Sequence, residues 1–184
     1  MSFSVQVVDG APDRQAILLP GGGYTVAGPV LWYPGTALDY LGWTCQLVAW
    51  PDDMTPGQVP EIASELINRL RTDHPTAQIL IIGKSLGTLA MPVAVESTLP
   101  GIWLTPVLKE PRVGRLAEQL GPEHLLVGGT ADPYWDRTIA NRTGAQTLQI
   151  EDADHSLQIP GDLDRTMVAI TALAHRVDTF ARSL

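Results

Sequence analysis

Short apolar runs alternate along the chain with longer stretches in which apolar positions recur every three or four residues. That pattern is expected of a sheet with helices on its faces. Val5 to Val8 reads as a first strand, turned at Asp9-Gly10, and Ala16 to Leu19 as a second, stopped by Pro20-Gly21-Gly22-Gly23. Residues 26 to 41 carry apolar positions near helical spacing, although Pro29 and Pro34 argue against a regular helix there. Trp43 to Trp50 is a third strand. Thr55-Pro56 marks a helix start, and Ile62, Leu66, Ile67 and Leu70 line one face of that helix. Gln78 to Ile82 is apolar on both parities, as a strand buried on both faces of a parallel sheet should be. A helix is expected from Ser85 toward Glu96, then a strand at Ile102 to Leu104 and a short helix over residues 112 to 120. A strand at His124 to Val127, a helix from Asp132 to Arg142, a strand at Thr147 to Ile150 and a closing helix from Leu163 to Ala181 complete the series. Only Thr105 to Pro111 resists assignment. The series predicts a doubly wound, mostly parallel sheet with helices on both faces.

The chain has 184 residues and no internal repeat or linker, so a single domain spanning residues 1 to 184 is expected. The net charge of −8 is scattered, and the absence of a basic stripe argues against nucleic acid as a partner. No apolar run is long enough for a membrane span, and the first residues lack the basic and apolar regions of a secretory signal. A cytoplasmic protein without membrane attachment is the expectation. The single cysteine, Cys45, sits in an apolar run and reads as a small buried hydrophobe. The composition does not bear on the oligomeric state.

Candidate chemistry centres on Ile82-Gly83-Lys84-Ser85-Leu86-Gly87. A serine at a sharp strand-to-helix turn needs close neighbours without side chains, and Gly83 and Gly87 provide that room. Gly83-Lys84-Ser85 also resembles the end of a phosphate loop, but Gln78 stands where the leading glycine belongs and residues 79 to 82 read as strand. A dinucleotide fingerprint fails similarly, because Val26 occupies its third glycine position. No cofactor motif or metal cluster is present in the pattern.

A serine hydroxyl is a weak nucleophile until a base takes its proton and an acid orients the base. Of four histidines, His74, His124 and His175 read as surface or packing residues, while His155 lies in a polar loop after the last strand. Asp132 follows a strand and a glycine turn and is the first choice for the acid; it would serve equally well as a helix cap ahead of Pro133. Asp136 is the alternative acid. Asp152 and Asp154 are too near His155 in sequence to orient it, and one of them suits a bond to the loop backbone. Oxyanion donors are expected from the backbone N–H of Leu86 and from the glycine run, with Gly22 first and Gly23 second.

Serine, aspartate and histidine in that order, each after its own strand and preceded by a glycine-rich loop, resemble the α/β-hydrolase superfamily over nearly the whole chain. The likeness is to compact, lidless members such as small bacterial esterases and dienelactone-hydrolase-like proteins. It implies a serine hydrolase acting on a small carboxylic ester, thioester or lactone through an acyl-enzyme on Ser85, with a small acyl compound as partner and no cofactor. An acyltransferase with the same residues, or a non-catalytic binding protein on the same fold, are the alternatives. Two departures stand out. Pro20 replaces the histidine that many members carry before the oxyanion glycines, and Lys84 puts a cation in the elbow that the pattern does not explain. Of the aromatics, Trp32, Tyr33, Trp50, Trp103 and Trp135 are candidates for a pocket or for core.

Overall fold

The computed structural model describes residues 3–184. Seven strands, β1 (Ser4–Val8), β2 (Ala11–Leu19), β3 (Trp43–Ala49), β4 (Gln78–Lys84), β5 (Gly101–Leu104), β6 (His124–Gly129) and β7 (Gln146–Ile150), form one sheet in the order β1-β3-β2-β4-β5-β6-β7. Only β1 pairs antiparallel; every other neighbouring pair is parallel. The chain winds outward from β2 to β3, then returns to lay β4 on the other side of β2. That reversal leaves a crevice between the C-terminal ends of β2 and β4, where Leu19 pairs with Gly83. Crevices at such reversals are where open α/β sheets bind their ligands.

Alternate residues of the central strands enter two cores. Ile17, Leu19, Ile79, Ile81, Trp103 and Leu126 face α2 (Val59–Asp73), α3 (Met91–Glu96) and α4 (Pro111–Ala117). Ala16, Leu18, Leu80, Ile82, Ile102, Leu125 and Val127 face α1 (Pro29–Tyr40) and α6 (Leu163–Arg182). This two-sided burial is why β4 reads as a continuous apolar run. Several expectations shift, among them the start of β2, which lies at Ala11 and not Ala16. The segment with two prolines is a helix after all: Pro29 opens α1, and buried Val30, Leu31, Pro34 and Leu38 hold it on the sheet despite the bond lost at Pro34. The helix expected from Ser85 begins as a 3-10 helix over Ser85–Ala90 and becomes α-helical only at Met91, where Pro92 occupies the first turn. The helix expected from Asp132 starts later, as α5 (Arg137–Arg142), with Asp136 as its N-cap. No helix among the described residues is long and apolar enough to cross a membrane.

Candidate active site

Ser85 stands at the turn from β4 into the 3-10 helix with φ of 49°, a left-handed conformation costly for a residue with a Cβ. The glycines beside it make that turn possible. A Cβ on Gly83 would sit 2.5 Å from the carbonyl oxygen of Gly87, and one on Gly87 would collide with the carbonyl oxygen of Leu19. The turn therefore packs backbone against backbone, and lifts the serine side chain above the end of the sheet.

His155 reaches Ser85 from the loop between β7 and α6. Its Nε2 lies 2.7 Å from Ser85 Oγ, and its Nδ1 lies 2.8 Å from Asp132 Oδ2. With Nδ1–H donating to the carboxylate, Nε2 is left as the acceptor for the serine hydroxyl. The loop holding His155 is pinned at both ends. Ala153 and Leu157 are fully buried in the core of α1 and α6, and Asp154 Oδ1 accepts from the backbone N–H of Ser156 and Gln158. The expected backbone bond from one of the loop aspartates is thus made by Asp154; Asp152 instead pairs with Arg165 at 2.8 Å. The loop after β6 is tied to the same segment, with Ala131 N–H donating to Ala153 O and Asp152 N–H to Thr130 Oγ1.

Asp132 is not a helix cap. Its side chain has no solvent exposure; Oδ1 accepts from the Tyr134 N–H at 2.8 Å while Oδ2 faces His155. Capping falls to Asp136, whose Oδ1 accepts from the N–H groups of Thr138 and Ile139 at the start of α5. The structure therefore brings Asp132, and not Asp136, into the hydrogen-bonded row with Ser85 and His155. Tyr134, which sequence reasoning passed over, also packs its ring edge-on to the imidazole at a centroid distance of 5.0 Å. Nothing in the local pattern distinguishes it from any other aromatic near a helix start.

Gly22 and Leu86 line the same cavity as Ser85 and His155, and a Cβ on Gly22 would lie 3.7 Å from the Leu86 side chain. Leu86 is in the first turn of the 3-10 helix, whose leading N–H groups have no intrahelical acceptor. Gly23, the second choice, adopts φ of 64° with nothing within 4 Å of where its Cβ would be, and does not line the cavity. The cavity has a volume of about 660 Å³. Pro56, Leu86, Leu89 and Val107 form its apolar wall, with Lys109, Glu110 and Tyr134 at its edge. The unassigned Thr105 to Pro111 segment thus supplies part of the wall. The tryptophans do not: Trp103 and Trp135 are buried in the core and Trp32 is exposed on α1.

Lys84 gains a physical account. It is only 4% exposed, and its Nζ stands 4.8 Å above the Tyr24 ring, within cation–π range. Burial pushes its ammonium pKa down, while Asp132 and Asp154 hold it up, so the cation offsets two carboxylates gathered under the site. Cys45, by contrast, is 1% exposed and its thiol is pushed up to about 12 by burial and then by Asp39, as befits an inert packing residue. Among the described residues no group of three or more His, Cys, Asp or Glu side chains could hold a metal ion.

A sheet wound in this order, with a serine elbow at the reversal and helices on both faces, defines the α/β-hydrolase fold. No protein-family model matches the sequence, and no curated protein does. Solved structures match over nearly the whole length. A lidless α/β serine hydrolase of Xanthomonas campestris superposes with a TM-score of 0.78 at 16% identity, over 98% of this chain and 88% of that one. An α/β serine hydrolase homologue from Coxiella burnetii gives 0.75 at 16% identity, covering 95% and 91%. A dienelactone hydrolase from Anabaena variabilis gives 0.70 at 17% identity, covering 98% and 91%. Identities this low speak to the fold, and the fold is the one the sequence pattern led us to expect.

Proposed function

We propose that the protein is a serine hydrolase that cleaves a small carboxylic ester, thioester or lactone through an acyl-enzyme on Ser85. The observation that carries this reading is the row Ser85 Oγ, His155 Nε2, His155 Nδ1, Asp132 Oδ2, with both links under 3 Å and the serine in a left-handed turn. As Ser85 Oγ attacks the acyl carbon, its proton passes to His155 Nε2 and the carbonyl π pair moves onto oxygen. The N–H groups of Leu86 and Gly22 receive that oxyanion. Collapse expels the alcohol or thiol, which takes the proton from His155. A water then repeats the sequence against the acyl-enzyme and releases the acid. Asp132 keeps the imidazole in the tautomer that accepts at Nε2 and balances the imidazolium when it forms. Lys84 is the counter-charge that makes a second nearby carboxylate, Asp154, tolerable.

A fluorophosphonate tests the reading. One covalent adduct on the peptide containing Ser85, absent in Ser85→Ala and in His155→Ala, is the expected result by intact mass and peptide mapping. Among the described residues the other serines lack both a hydrogen-bonded base and an elbow. A folded but unlabelled wild type would move the protein to the binding-protein reading, and a label on Ser156 would reassign the nucleophile.

A further inference from the structure

Two apolar hollows meet beside Ser85. The cavity over the serine shares Pro56, Leu89 and Glu110 with a second hollow of about 410 Å³ lined further along by Pro60, Pro92, Val113 and Leu116. Together they make one trough that starts at the nucleophile and follows the 3-10 helix between the start of α2 and α4. That helix has six residues, so at roughly 2 Å per residue the trough reaches about 12 Å from Ser85 before meeting α3. Its far end is floored by buried Met91 and Val113, and its open side carries Glu110 and Arg112.

His155 lines only the near end of the trough, over Ser85, and the second hollow leads away from it. His155 enters from the loop anchored in the α1 and α6 core, whereas Leu89, Met91 and Val113 belong to the core of α2, α3 and α4. A leaving group must be next to the imidazole that protonates it. The acyl portion of a substrate on Ser85 therefore points away from His155, into the trough. We propose that this trough is an acyl-chain site and that the preferred substrates are esters or thioesters of linear, medium-length fatty acids. The proposal rests on the serine-hydrolase reading above. An apolar trough of limited length rewards each added methylene of a chain that follows it and stops rewarding chains that outrun it.

The test is kcat/KM for p-nitrophenyl esters from acetate through butanoate, hexanoate, octanoate and decanoate to palmitate, each below its micelle concentration. Burying one methylene is worth about fourfold when complete and about twofold on an open floor, so octanoate should exceed acetate on the order of a hundredfold and palmitate should gain nothing further. Two variants check the location. Leu116→Asp puts a charge on the partly buried wall. Gly57→Trp fills the trough from its rim, at a position where an added Cβ meets nothing within 4 Å. Both should lower the octanoate-to-acetate ratio about tenfold or more while circular dichroism shows a native fold. Acetate turnover with a flat or falling chain-length profile would overturn the acyl site and leave the hydrolase reading standing. So would a steep profile that neither variant changes, since the chain would then lie elsewhere. No turnover of any ester, together with an unlabelled Ser85, would sink both readings.

Discussion

Asp132 and Asp136 carry the same functional group into opposite duties, and the difference is made by one hydrogen bond each. Asp132 gives an oxygen to His155 Nδ1, whereas Asp136 gives its own to the first N–H groups of α5. An Asp132→Asn variant keeps the acceptor for the Tyr134 N–H but presents an amide to the imidazole, which favours the wrong tautomer. Ester turnover should fall by about 10⁴-fold in kcat with the fold intact. An Asp136→Ala variant should do the reverse: unfolding free energy drops by about 1 kcal/mol through the lost cap, and kcat stays near wild type. Kinetics and denaturant unfolding of the two variants side by side separate the roles, and activity lost only in Asp136→Ala would undo the assignment. Sequence alone left these two residues as competitors because both sit between a strand and a helix. What decides between them is a contact with a loop far along the chain, which no local pattern encodes. Ser85 was legible for the opposite reason: its neighbours at 83 and 87 record the local crowding of the turn directly.

At the scale of elements, strands were read closely and the starts of helices less so. The apolar runs of the strands stand out, but the first half of β2 is polar and largely exposed and was not read as strand, while the helix after β6 starts late because Asp132 to Trp135 form a turn of their own, with the Trp135 N–H bonded to Asp132 O. The Thr105 to Pro111 segment was opaque because its course depends on partners from elsewhere. Thr105 N–H donates to Val127 O and Lys109 N–H to Tyr134 O. The loop carrying His155 shows how an element can serve a single side chain. Asp154 holds two of its backbone N–H groups, and Asp154→Ala would remove both bonds and leave the stretch around His155 to the buried Ala153 and Leu157 and to the loop's backbone bonds. A reacting group displaced by even an ångström can cost on the order of a hundredfold, so kcat for Asp154→Ala should fall by about tenfold to a hundredfold. Asp154→Asn, which keeps an acceptor oxygen, should recover most of the loss. Unchanged turnover in the alanine variant would mean that core packing and the remaining backbone bonds hold the loop without the Asp154 carboxylate.

At the scale of the whole molecule, the alternating burial that makes the sheet two-faced also traps a titratable group far from the site. His124, read from sequence as a surface or packing residue, is 2% exposed at the start of β6, and its Nδ1 accepts from Trp103 Nε1–H at 3.3 Å. Burial pushes its pKa below the ordinary value of 6.5; the nearby Glu123 carboxylate opposes this but is itself largely in water. A folded-state pKa lower than the unfolded one makes the neutral ring the stable partner of the fold. The resulting stability is fully present above pH 6.5 and is lost as pH falls through the depressed value. Protonation would also set an N–H at Nδ1 against the indole N–H it now receives. Net charge predicts the opposite trend in this window, because −8 shrinks toward zero as pH approaches the isoelectric point near 4.8, easing self-repulsion. Unfolding midpoints in urea, followed by tryptophan fluorescence from pH 7.5 down to about 5, should therefore fall in the wild type. In His124→Asn the amide oxygen can still accept from Trp103 and nothing titrates there, so the fall should shrink markedly. A wild-type profile that stays level or rises over this range would mean that charge relief outweighs the buried imidazole, and an unchanged slope in the variant would place the acid-labile group elsewhere.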